Sequence, residues 1–244
     1  IAIFNVTNNH IEKLLQRAKK LRKDLKIYGY YVVNGKGVSK NADLRARVVS
    51  ADREGITFEV TDGKERRRFV APLPGVHFIE NLTGAILVAR IFGLSWREIE
   101  KGVSTLKASE HTMSIYKLKN GNVIVDDSYN STPVGFEAAL RYLNLFEGKK
   151  KVVITPGIIE LGDLSNTVHK SLGQLINGKV DKLILLNEEP FKVIKNITDK
   201  TTVKLIKDPE KLIQELENLS ESVILLEGRQ PIKLVNYLEG KNND

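Results

Sequence analysis

Asp126 and Asp127 stand side by side at the end of the β-branched run Val123-Ile124-Val125, and Ser128-Tyr129-Asn130 follow them ahead of Pro133. A run of that kind reads as a buried parallel strand, which puts both acids at its carboxyl end. Open α/β sheets bind ligands at that edge, where a carboxylate accepts the two hydroxyls of a ribose or holds a cation. The pattern points to a nucleotide. An equally good local reading makes Asp127 or Ser128 the cap of a helix beginning near Pro133. A second loop of this kind runs Thr155-Pro156-Gly157-Ile158-Ile159-Glu160-Leu161-Gly162 after another apolar strand. Gly157 and Gly162 would let the backbone around Glu160 approach a ligand closely, although a plain strand-to-helix turn needs nothing more. Arg229, in Glu227-Gly228-Arg229-Gln230-Pro231, could hold an anion at the start of the following helix or lie solvated in its loop.

The elements that must position these residues follow from periodicity. Ile1 to Asn5 reads as a strand, and Asn8 or Asn9 can cap a helix carrying Ile11, Leu14, Leu15, Ala18 and Leu21 at helical spacing. Strands are expected at 27–33, 46–49, 56–60 and 67–71, with Gly55 and Asp62-Gly63 as hairpin turns, giving an antiparallel ribbon appended to an α/β sheet. Helices at 78–92 and 96–105 meet at Gly93, with Trp96 and Leu106 in the core. From Ser114 onward strands alternate with helical patterns, which predicts a mostly parallel sheet with right-handed crossovers. The polar stretch at 107–112 marks the boundary between two domains.

Composition removes several function classes. The 244 residues are 41% apolar and 28% charged, a globular balance. Cysteine is absent, so disulfides and thiolate chemistry are excluded, and His10, His77, His111 and His169 lack metal-ligand spacing. No apolar run approaches the roughly 20 residues that cross a bilayer, and a cytoplasmic protein is expected. The net charge of +8 and pI near 9.4 come from clusters at Lys19 to Lys23, Arg66 to Arg68 and Lys149 to Lys151. These are separated and lack interleaved aromatics, so nucleic acid is not the expected partner, whereas an anionic small ligand is compatible with the charge.

Leu73-Pro74-Gly75-Val76-His77-Phe78-Ile79-Glu80-Asn81, the D-D-S-Y-N turn at 126–130, the E-L-G loop at 160–162, His169 and Gly173 occur in the order and spacing found in the Mur ligases, and the chain resembles that family. Within it, the turn and the E-L-G loop are most similar to the branch that adds D-alanyl-D-alanine to the UDP-muramoyl tripeptide in peptidoglycan synthesis. The resemblance implies that residues 1–109 are the end of the central ATPase domain, incomplete and carrying the antiparallel ribbon. Residues 110–244 would be the Rossmann-like C-terminal domain. Three departures stand out. Phe78 replaces an asparagine of the family's H-N-x-x-N, Thr112 replaces the linker arginine that faces the ATP phosphates, and no G-x-x-x-x-G-K-[ST] loop occurs in the chain. The chain starts at Ile1, its single methionine is Met113, and it reads as the interior of a longer protein.

By that resemblance the reaction is ATP-dependent amide formation through an acyl phosphate. Asp127 would hold the ribose of ATP, Asn81 would meet the adenine, and Tyr129 and Asn130 would line the nucleotide or amine-side pocket. Glu160, Gly157, Gly162 and Arg229 would face the substrate. The plainer alternatives are a helix-surface amide for Asn81 and a packing residue for Tyr129. His77 and His169 are not required as bases and read more naturally as structural. No residue of this chain is assigned as catalytic or as a metal ligand: the phosphate loop, the Mg2+ ligands and a carbamylated lysine are expected upstream. The partners implied are a UDP-N-acetylmuramoyl peptide and D-alanyl-D-alanine, with a monomer at full length and the present chain inactive alone. A non-catalytic Mur-like nucleotide-binding or partner module is the second reading, favoured by Thr112, Phe78 and the missing loop. A folylpolyglutamate synthase is a third and fits the turn and the E-L-G loop less well.

Overall fold

A computed structural model describes residues 1–6, 11–33 and 42–243, which form an α/β fold divided at Lys107/Ala108 into two compact units, each with its own sheet. The proposed Asn8 or Asn9 cap and His10 lie outside the described residues.

The first unit is a five-stranded sheet in sequential order: β1 (Ala2–Asn5), β2 (Ile27–Val33), β3 (Leu44–Ala51), β4 (Ile56–Thr61) and β5 (Arg66–Ala71). The first three strands run parallel, and β3, β4 and β5 form the antiparallel ribbon, so the ribbon continues the sheet rather than hanging from it. Asp62 makes the tip of the second hairpin by accepting the amides of Lys64 and Glu65, next to Gly63 at φ 88°. Helix α1 (Ile11–Leu21) follows β1, and α2 (Phe78–Ile91) lays Ile79, Leu82, Ile86 and Leu87 on β1, β2 and β3. Phe58 stacks on Phe69 at 5.4 Å, closing the core under the ribbon. Ser95 and Glu98 form a capping box that starts α3 (Trp96–Ser104), which packs on β5. Trp96 leans on Phe69 with Arg90 over its face and is only half buried, as is Leu106. Both therefore close the edge of the core rather than fill it, because α3 buries Ile99 and Val103 instead.

The second unit is a six-stranded sheet: β6 (Ser114–Lys117), β7 (Val123–Asp127), β8 (Lys150–Thr155), β9 (Lys182–Leu185), β10 (Thr202–Leu205) and β11 (Ser222–Glu227), in the order β10-β9-β8-β11-β7-β6. All pairings are parallel except β6 with β7. The intervening helices are α4 (Pro133–Leu143), α5 (Ser165–Ile176), α6 (Glu188–Lys195), α7 (Pro209–Glu217) and α8 (Ile232–Asn243). The central strands are buried on both faces, which is why β7, β8 and β11 read as unbroken apolar runs. Ile124, Val152, Ile154, Ile184, Ile224 and Leu226 form one face of the core with Leu212 and Leu216 of α7 and Leu234 and Leu238 of α8. Strand order reverses direction between β8 and β7, with β11 inserted there. The carboxyl ends of those three strands are where such a sheet presents a ligand.

Candidate functional site

Helix α4 is capped by Thr132, whose hydroxyl oxygen accepts the Gly135 amide at 3.1 Å with Pro133 in the first helical position. This overturns the reading of Asp127 or Ser128 as a helix cap. Both acids are left for other work. Asp126 and Asp127 end one strand and point to opposite faces of the sheet, as successive strand residues must.

On one face Asp126 is buried, and its carboxylate accepts from His111 Nδ1 at 2.8 Å and from the Ser128 amide at 3.1 Å. Ser128 Oγ lies 3.4 Å from the same ring nitrogen. A hydrolytic relay needs the acid and the hydroxyl on different nitrogens of the imidazole, so these three residues do not form one. Instead they tie the segment 109–113 to β7, helped by the Tyr129 amide donating to the His111 carbonyl at 2.9 Å. His111 and Met113 hold positive φ values of 58° and 53°, with Thr112 half buried between them. A cavity of about 300 Å³ lies beside this pair, lined by Glu110, Tyr116, Leu226 and Glu239 among others.

On the other face Asp127 meets Glu227. Strands β7 and β11 pair in parallel with Asp127 opposite Glu227, so two carboxyls end adjacent strands at the same level. Asp127 Oδ1 accepts the Met113 amide at 3.2 Å. Glu227 is fully buried; its Oε1 accepts from Ser131 Oγ at 2.7 Å, its Oε2 has no donor, and its carboxyl interacts with that of Asp127. Burial first, and the neighbouring Asp126 charge, push the Asp127 carboxyl up to about 6 against the opposing Met113 amide. Burial and the Asp127 charge push Glu227 well above the carboxylate range. Glu227 carried no role in the sequence reading; its only signal was an acid before a glycine at the end of an apolar strand.

The loop after β8 is built around His169. Its Nε2 accepts the Ile158 amide at 3.1 Å, which fixes the proton on Nδ1, and that nitrogen lies 3.2 Å from Ser165 Oγ. Ser165 Oγ in turn donates to Glu189 at 2.6 Å. Burial lowers the His169 pKa, so the ring stays neutral and acts as a brace for the loop. Gly157 sits at φ 84°, and a Cβ there would stand 2.8 Å from His169 Nε2 and 2.9 Å from Pro190. Glu160 takes φ 62° and is exposed. It lines a cavity of about 520 Å³ with Gly162, Ser165, His169, Asn187 and Glu189. Asp127 does not line that cavity. The roots of the two loops do meet at Gly228, where a Cβ would stand 3.3 Å from Ser131 and 3.6 Å from Pro156.

Of the remaining candidates, Tyr129 is 75% exposed, which sets aside the packing role for its ring, and Asn130 is exposed beside it. Arg229 is exposed and follows Gly228 at φ 72°, while Gln230 folds back to donate to the Gly228 carbonyl at 2.7 Å. Asn81 lies exposed on α2 of the first unit, next to Glu80, which accepts from Asn5 at 3.1 Å. His77, just before α2, lies against Phe78 with ring centroids 4.3 Å apart and planes tilted by 35°, and burial lowers its pKa. Thus the described geometry joins the linker around Thr112 to Asp127 through Met113, and places Glu160 in a cavity of its own.

Comparison with known proteins gives this geometry a context. Residues 113–229 match the family described as Mur ligase, glutamate ligase domain. The UDP-N-acetylmuramoyl-tripeptide–D-alanyl-D-alanine ligase of Bacillus subtilis is 32% identical over 149 residues, 60% of this chain and 32% of the relative. The enzyme of the same name from Rickettsia prowazekii is 26% identical over 237 residues, 96% of this chain and 51% of the relative. The chain thus spans about half or less of the length of these relatives. Among solved structures, the MurF ligase of Thermotoga maritima in complex with ADP superposes with a TM-score of 0.74 at 19% identity, covering 99% of this chain and 53% of that one, a likeness of fold. The second unit, from Met113 through Arg229, thus matches the Mur ligase, glutamate ligase domain family, and the chain as a whole is similar to Mur ligases in sequence and in fold.

Proposed function

We propose that this chain is part of an ATP-dependent amide ligase that adds D-alanyl-D-alanine to a UDP-N-acetylmuramoyl peptide in peptidoglycan synthesis. The observation that carries the reading is the Asp127–Glu227 pair at the carboxyl edge of the sheet, in a chain aligned over 96% of its length with a ligase of that name. What ATP supplies when bound is the phosphoryl group that turns the peptide carboxylate into an acyl phosphate. The residues of this chain bind and orient: the half-buried Asp127 carboxylate, held by the Met113 amide, keeps an oxygen to accept ribose hydroxyls. By family resemblance alone Asn81, in the first unit, is assigned to the adenine, and exposed Tyr129 and Asn130, in the second, to the nucleotide or amine side. Glu160 and the Gly157–Gly162 loop, braced by neutral His169, serve the peptide or dipeptide side, and Arg229 an anionic group there.

Among the described residues no three His, Cys, Asp or Glu come together as a metal-binding group. The residues present do not build a Mg2+ site, and no step is assigned through one. Nor is any described helix long and apolar enough to cross a membrane. Thr112 favours the second reading, a Mur-like module that binds nucleotide without turning it over. It offers no cation to a phosphate, the contact that a linker arginine would make.

Phosphate release with ATP, the UDP-linked peptide and D-alanyl-D-alanine separates the two readings. The protein translated from the whole reading frame is expected to release phosphate only when both acceptors are present, and the 244-residue chain alone to release none. A whole protein that binds ATP but never releases phosphate would establish the module instead.

A further inference from the structure

Glu227 is the most deeply buried acid of the second unit and sits where the proposed ribose site has no need of a second carboxylate. Its two oxygens have different surroundings. Oε1 accepts from Ser131 Oγ at 2.7 Å, while Oε2 lacks any donor, and the carboxyl as a whole interacts with Asp127, the residue opposite it in the strand ladder. A buried acceptor without a donor costs free energy, and two charged carboxylates in contact cost more. Both problems vanish if Oε2 carries a proton, because that oxygen then becomes a donor and Asp127 its acceptor.

We propose that Glu227 is a positioning residue, neutral at physiological pH, whose carboxyl proton is donated to Asp127 and holds that carboxylate in one orientation at the edge of the sheet. With the Met113 amide on Oδ1 at 3.2 Å, Asp127 is then gripped by two donors from two different elements. A short side chain gripped in this way loses its rotamer freedom before any ligand arrives, so less ordering is left to oppose binding. That the ligand so served is a ribose rests on the reading above; the proton-sharing pair does not. Among the described residues, the other titratable group acting on the pair is Asp126, which shares its strand and is paired with His111 on the other face.

Glutamine reproduces the proposed state, since its oxygen can accept from Ser131 and its amide can donate to Asp127 at every pH. Methionine keeps the length and volume but offers no donor. Carboxyl-carbon NMR titration of the 244-residue chain, with Asp127 assigned through Asp127→Asn, reads the consequence. In the unaltered chain the Glu227 signal is expected to stay protonated through neutral pH while Asp127 titrates near 6. Glu227→Gln should leave the Asp127 midpoint within about half a unit, and Glu227→Met should raise it by about one unit because a donor to the charged form is gone. A fall of a unit or more in Glu227→Gln would mean that Glu227 had been charged and repelling, and would overturn the proposal. An Asp127 midpoint unmoved in Glu227→Met would overturn it too, by showing no contact. If the titrations come out as expected while Asp127→Asn leaves ATP affinity unchanged, the pair stands and the ribose reading falls.

Discussion

His169 accepts the Ile158 amide through Nε2 at 3.1 Å, and that bond between a buried ring and the main chain braces the loop that bears Glu160. The imidazole is a fixed acceptor here, committed to one tautomer by the amide in front of it. Its neighbour Gly157 leaves the space the ring occupies.

Gly157→Ala is therefore expected to destabilise the second unit by about 2–4 kcal/mol. The change forces a side chain into left-handed backbone at φ 84° and drives a methyl to 2.8 Å from the ring. Urea unfolding measures it. A cost under about 0.5 kcal/mol, the level of an unconstrained surface site, would show that the loop relaxes freely.

The pH dependence of His169 has a definite sign. Burial depresses its pKa below the ordinary 6.5, so the stability of the neutral ring is fully present above that value and is lost as pH falls through the folded value. Unfolding free energy should decline on acidification below about 6.5, and His169→Gln should flatten that part of the curve. An identical decline in the variant would trace the effect to other groups.

Asp127 acts in the opposite direction. Its carboxyl moves from 3.8 up to about 6 in the fold, so the stability associated with the neutral form is present below 3.8 and is lost as pH rises through about 6. Asp127→Asn, which keeps an acceptor for the Met113 amide, should be more stable than the unaltered chain at pH 7, by an amount on the order of 1–3 kcal/mol. Thermal unfolding at pH 4 and pH 7 tests this, because the advantage must shrink at pH 4. Equal gains at both would point to packing.

Stability and ligand binding should part company at this residue. In the whole protein, Asp127→Ala is expected to weaken ATP binding by about 1.5–3 kcal/mol, the scale of a hydrogen bond to a charged group, with the fold retained. Isothermal titration calorimetry decides it, and unchanged affinity would remove Asp127 from the nucleotide site.

What the sequence reveals here depends on the range of each interaction. The strands ending at Asp127 and Thr155 and the helices between them are legible, because β-branched runs and helical spacing are local signals that tertiary contacts reinforce. The position of Asp127 at the carboxyl end of a strand is legible for the same reason, and so is that of the loop containing Gly157. The cap of α4 was open to confusion, as Asp127, Ser128 and Thr132 are all good capping types and only backbone geometry selects Thr132. Glu227 lay out of reach: it is 100 residues from Asp127, and nothing local says that β11 enters the sheet beside β7. The parallel pairing of β2 with β3 was hidden in the same way, since the ribbon pattern is the same whether it hangs free or continues a sheet.

The insertion of β11 between β7 and β8 sets an order of assembly. Without Ser222–Glu227, β6 and β7 would have only each other to pair with and β8, β9 and β10 only one another, and the seam between the two sets would stay open. The final strand bridges the two sets, and its pairing with β7 spans the widest sequence separation in this sheet, the kind of contact whose loop closure slows folding. A growing chain would expose two apolar edges during that wait, which makes this stage the one where a chaperone is most needed. The same pairing that seals the seam brings Glu227 to Asp127, so the edge bearing this pair exists only once β11 is in place.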